Sequence, residues 1–72
     1  METPVVTVFV NDQAVTVPLS ATVEMAVLAA SQQLYHDLTF GPAYLTDALG
    51  HPVGEQGAVF AGMRLYVRYP KR

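Results

Sequence analysis

The chain has 72 residues, 51% of them hydrophobic and 14% charged, with no cysteine and a net charge of −2. Such a composition excludes intrinsic disorder, a disulfide framework and a thiolate metal site, and leaves packing to hold together a single domain that buries about 60% of its unfolded surface. Four cations on a net acidic chain are too few for the phosphate contacts of a nucleic-acid binder, and no apolar run reaches the roughly 18 residues of a membrane span. The opening METPVV lacks the basic region of a signal peptide, so a soluble, cytoplasmic protein is expected. The charge is unevenly placed. Arg64, Arg68, Lys71 and Arg72 all follow the last of the six carboxylates, an asymmetry that marks either a docking surface or a solvating basic tail over 70–72.

Taken in chain order, Val5 to Val10 alternates and is rich in β-branched residues, the pattern of a strand with one buried face. Ala14 to Leu19 alternates again, across a turn at Asn11-Asp12-Gln13. Residues opposite one another in a hairpin share a face, so the pattern predicts Val6, Val8 and Val10 against Leu19, Val17 and Val15, with Asp12-Gln13 as the loop. Pro18 has no N–H to donate, which places the second strand at a sheet edge.

Thr22 to Leu34, TVEMAVLAASQQL, carries the only sustained helical periodicity. Val23, Val27, Ala30 and Leu34 fall on one stripe facing the core, Thr22 offers a hydroxyl for the first turn, and Glu24 sits near the positive end of the dipole. Met25 and Leu28 lie on the opposite side. They are expected either to be covered by Phe40 or Tyr35 or to form a second contact surface, homodimerisation being the sharper form of that reading.

Gly41-Pro42 stops the helix, with Leu38 reaching the core as an irregular last turn. Ala43 to Asp47 reads as a short strand, Ala48 to His51 as a turn, Pro52-Val53 as a short edge strand, and Glu55-Gln56-Gly57 as loop. Val59 to Gly62 is an apolar turn launching the last strand, Met63 to Tyr69, which Pro70 ends. In that strand Met63, Leu65 and Val67 face one way and Arg64, Tyr66 and Arg68 the other. If it pairs parallel to the first strand, the helix forms the crossover that such pairing requires. One helix on one face of a four- to five-stranded mixed sheet is an α+β architecture, the β-grasp, with a core over about 4–69.

The strands VTVFV and AVTVPL, the step LSATVEMAVLAA into the helix and the closing VFAGMRLYV carry a resemblance to the ubiquitin-like β-grasp superfamily over nearly the whole chain. Among bacterial members the chain is similar to the sulfur carriers of thiamine and molybdopterin synthesis and to TGS domains. That resemblance implies a carrier, a ligand-sensing domain or an adaptor, since one fold hosts all three. The carriers end in a glycine pair whose carboxylate is activated. Here the end is Tyr69-Pro70-Lys71-Arg72 with no Gly-Gly anywhere, which turns the expectation from a sulfur carrier toward an adaptor.

No catalytic, metal or cofactor site is read from the residues. His36, Asp37, Asp47 and His51 are the one conceivable metal or acid–base set, and the adjacent pair at a helix end does not converge. The glycines are scattered without a phosphate-loop spacing, and no Ser or Thr has the setting of an activated nucleophile. The expected function is non-catalytic protein binding through the open sheet face. Phe9 and Tyr66 would be apolar anchors there, with Arg64 and Arg68 pairing with carboxylates of the partner.

Overall fold

Residues 4–70 are described by a computed structural model; Lys71 and Arg72 of the expected tail lie outside them. Four strands and two helices follow in the order β1 (Val5–Val10), β2 (Gln13–Pro18), α1 (Val23–Ala30), α2 (Gln32–Thr39), β3 (Tyr44–Thr46) and β4 (Arg64–Arg68). The sheet order is β2-β1-β4-β3. β1 pairs antiparallel with β2 and parallel with β4, and β3 pairs antiparallel with β4. The molecule is therefore α+β with a mixed four-stranded sheet, and the helical layer has two members rather than the one expected.

The alternation of each strand decides what is buried. Val8, Val10, Val17, Leu45, Leu65 and Val67 project to one side and pack with Val23, Ala26, Val27 and Leu38 of the helices, together with Ala21 and Val59, in one core. Each fully buried Val or Leu contributes roughly 1.5–3 kcal/mol relative to exposure, and here those residues carry the stability. Ala30 and Leu34 of the expected stripe are only partly buried, and Ala26 takes a core place the stripe had not included.

The hairpin keeps the predicted faces but not the predicted partners. Val6 lies opposite Val17, Val8 opposite Val15 and Val10 opposite Gln13, with Asn11-Asp12 as the loop. Both loop residues have positive φ, 50° and 67°. That is the demand of the two-residue turn matching strand twist, and Asn and Asp meet it at less cost than Gln13 would. Leu19 consequently falls beyond β2 and is exposed. Pro18 does stand on an edge strand, as expected.

The single helix expected over 22–34 is broken at Ser31, whose backbone is extended at φ −165° and ψ 125°. Ser31 ends α1 by donating its N–H to the Val27 carbonyl and starts α2 by accepting the Leu34 N–H on Oγ at 3.3 Å. A serine that caps so well competes with its own helix interior. The break redirects α2, which runs on to Thr39 and buries Leu38 as a regular helical residue.

The Thr22 hydroxyl makes no cap bond. Carbonyls from the loop before β4 take its place, Gly57 accepting the Val23 N–H at 2.9 Å and Glu55 the Glu24 N–H at 3.0 Å. Gln56 also donates to the Glu24 carboxylate at 3.0 Å. The orphan donors of the helix start are thus satisfied by a remote segment.

Pro52-Val53 is not a strand of its own. Pro52 forms one bridge to Thr46, and the Val53 N–H reaches the Leu45 carbonyl at 3.0 Å, covering the outer side of β3. Gly62, at φ 77°, turns the chain into β4 while its N–H binds the Thr7 carbonyl at 2.8 Å, which sets the phase of the last strand.

Candidate interaction face

The residues of β1 and β4 that alternate with the core residues form a second surface on the uncovered side of the sheet. The parallel register sets Phe9 beside Arg64. The Arg64 guanidinium lies over the Phe9 ring, 4.6 Å from its centroid, and Arg68 lies over the Tyr66 ring at 5.4 Å. Both are within the range of a cation–π contact. All four residues expected at this face are therefore brought together on it. The arrangement differs from bare aromatic anchors: each ring carries a guanidinium, and Phe9 and Tyr66 are half-buried.

Two further residues organise the face. Asp12, on the β1–β2 turn, accepts the Tyr66 hydroxyl on Oδ1 at 2.9 Å and stands 3.8 Å from Arg64 Nη1. Its neighbour Asn11 accepts the Val67 N–H at 2.9 Å, so a side chain continues the β1–β4 ladder after β1 has turned away. On the other flank, Thr46 of β3 accepts from Arg68 Nε at 3.1 Å and donates to the Asp47 carbonyl at 3.1 Å. The Asn11-Asp12 turn chemistry and the alternation of β3 are the sequence signals for these two positions.

The electrostatics favour an outward-directed charge. The side chains of Arg64 and Asp12 are 52% and 72% exposed, and an ion pair so exposed neutralises little in water. Arg68 uses its Nε on Thr46, which fixes the plane of its guanidinium. A planar, oriented guanidinium suits a carboxylate through two parallel N–H bonds.

Met25 and Leu28, expected as a second surface, lie on the outer side of α1 and are 51% and 41% exposed. The expected cover does not form: Tyr35 packs on the core, and Phe40 is 76% exposed, its ring 5.2 Å from that of His36.

The histidines and aspartates separate into two places. Asp47 closes the loop after β3 by accepting the backbone N–H groups of Leu49 and His51 at 2.9 and 3.0 Å. The His51 N–H is the chief reason its carboxyl lies below the ordinary 3.8. Asp37 on α2 accepts Gln33 Nε2 at 3.0 Å and the Tyr69 hydroxyl at 2.5 Å, and that bond raises the Tyr69 phenol above its ordinary 10.0. His36 stands 3.9 Å from Asp37, and His51 3.5 Å from Asp47. Among the described residues no three His, Cys, Asp or Glu side chains converge, no cavity is enclosed, and no helix is long and apolar enough to cross a membrane.

Comparison with protein-family models, with curated proteins and with solved structures returns no match to this chain.

Proposed function

We propose that the chain is a β-grasp domain of ubiquitin-like type that acts without catalysis, as an adaptor presenting the open face of its sheet to an acidic segment of a protein partner. Support for the fold reading comes from the order β2-β1-β4-β3, with the first and last strands parallel at the centre and the helices between them in sequence. Support for the function comes from one observation above the rest: Arg64 and Arg68 lie over Phe9 and Tyr66 at 4.6 and 5.4 Å. Guanidinium groups already stacked lose less rotamer freedom on binding, so their hydrogen bonds to partner carboxylates come at a smaller entropic cost. The surrounding rings supply the apolar contact that arginine and tyrosine bring to interfaces.

The test compares the wild-type chain with Tyr66→Ala/Arg68→Ala in affinity capture from native extract, read by mass spectrometry, with circular dichroism as the control for folding. A partner held by the wild type and lost by a folded double variant, with capture weakening as salt is raised, is the expected result. Undiminished capture by the double variant overturns the assignment of this face.

A further inference from the structure

The two edges of the sheet are finished differently. The outer side of β3 is occupied by the bridge from Pro52 and the Val53 N–H. The outer side of β2 has no such cover among the described residues. With Val10 and Gln13 closing a two-residue turn, the pairs that exchange both backbone bonds are Val10–Gln13, Val8–Val15 and Val6–Val17. Gln13, Val15 and Val17 therefore turn their backbone groups toward β1, while Ala14, Thr16 and Pro18 turn theirs outward. Pro18 has no N–H, and its carbonyl already accepts the Ala21 N–H at 2.9 Å. What remains is a window of two residues, Ala14 and Thr16, both exposed, with two donors and two acceptors.

We propose that this window pairs with the same window of a second copy, joining two sheets antiparallel about a two-fold axis through Val15. In that register Ala14 of each copy faces Thr16 of the other. Each such pair exchanges two N–H···O bonds, and the four bonds use every outward donor and acceptor of both windows. A two-fold interface brings a surface against itself, so any charge in it meets its own sign nearby. Gln13–Pro18, QAVTVP, contains no charge, and the pairing sets Asp12 against Pro18 rather than against Asp12. Edge strands that must stay unpaired carry lysines, prolines, bulges or inward charges; β2 has six regular pairs with β1 and, of these devices, only Pro18, which bounds the two-residue window without lying in it. A foreign strand would be equally satisfied by a charged edge of opposite sign. Neutrality leaves no like-charge penalty against a second copy, and the four bonds leave no outward donor or acceptor of either window unpaired. The edge is separate from the Arg64 and Arg68 face, and the inference does not rest on the reading of that face.

Sedimentation equilibrium and amide exchange test it together. At about 1 mM, where a dimer with a millimolar dissociation constant already holds about half of the chains, the wild type should have a weight-average mass about one and a half times its 7.8 kDa or more. The Ala14 and Thr16 amides should exchange slowly there and rapidly on dilution. Thr16→Pro removes an outward N–H that the fold does not use, and Thr16→Lys places a charge on the edge without touching the backbone. Both should be monomeric, and the lysine variant, folded by its nuclear magnetic resonance spectrum, keeps the test decisive if the proline variant does not fold. A wild type that stays at 7.8 kDa with fast Ala14 and Thr16 amides overturns the proposal. So does a dimer that survives Thr16→Lys, since it then uses another surface.

Discussion

Along β4, neighbouring residues are governed by different physics. Leu65 and Val67 are buried, Leu65 completely, and belong to the one core that residues of the helices and the neighbouring strands share. Arg64, Tyr66 and Arg68, one residue away in each direction, are held by ring contacts and by bonds to Asp12 and Thr46 on the solvent side. The first set loses water on folding, and the second keeps much of it. The strand therefore places its stability on one face and the proposed binding chemistry on the other, so that the second can be altered at little expense to the first.

The comparison can be broken most forcefully at Leu65. Leu65→Ala opens a cavity in the middle of the sheet and should cost about 2–5 kcal/mol by urea denaturation; a cost below about 1 kcal/mol would mean that the two faces do not differ as described. Gly62→Ala comes next, because Gly62 turns the chain into β4 at φ 77° and so determines which residues face the core. A side chain there should cost about 1–2 kcal/mol, checked by the same denaturation curves.

On the open face, Tyr66→Phe removes only the hydrogen bond to exposed Asp12. It should change stability by less than about 1 kcal/mol while leaving the ring under Arg68 in place. A thermal-melting shift as large as that of Gly62→Ala would show that the face is structural after all.

The smallest effect is expected where the chain leaves β4. The Tyr69 phenol is raised above 10.0 chiefly because its hydroxyl donates to Asp37. The folded state then holds this proton more tightly than the unfolded state. The stabilisation is complete below pH 10.0 and fades as pH rises through the folded value. Tyr69→Phe should flatten that alkaline limb of a stability–pH curve, and an unchanged limb would assign it to other groups.

Much of the architecture was legible because strand alternation has a period of two. Even with the hairpin partners displaced by two residues, Val8, Val10, Val15 and Val17 were expected on the side they occupy, since a shift by two preserves the face. The same parity put Phe9, Arg64, Tyr66 and Arg68 together. The helix was less legible: its apolar spacing continues through Ser31, and spacing does not report that a serine will cap the segment after it. The cover over Met25 and Leu28 failed for a related reason, because Phe40 caps the end of a redirected α2 and stays exposed there.

The sequence alone determined the four strands of the sheet, though not that Pro52-Val53 adds only a bridge, together with their inward and outward residues and the composition of the open face, because those follow from local periodicity and side-chain chemistry. Only the tertiary structure decided how α1 begins, with Glu55 and Gly57 replacing the Thr22 hydroxyl, how Asp12 and Thr46 frame the two arginines, and which sheet edge is left bare. Those outcomes depend on segments remote in the chain meeting in space, and the hydrogen bonds they form there compete with, and displace, the ones each segment would form locally.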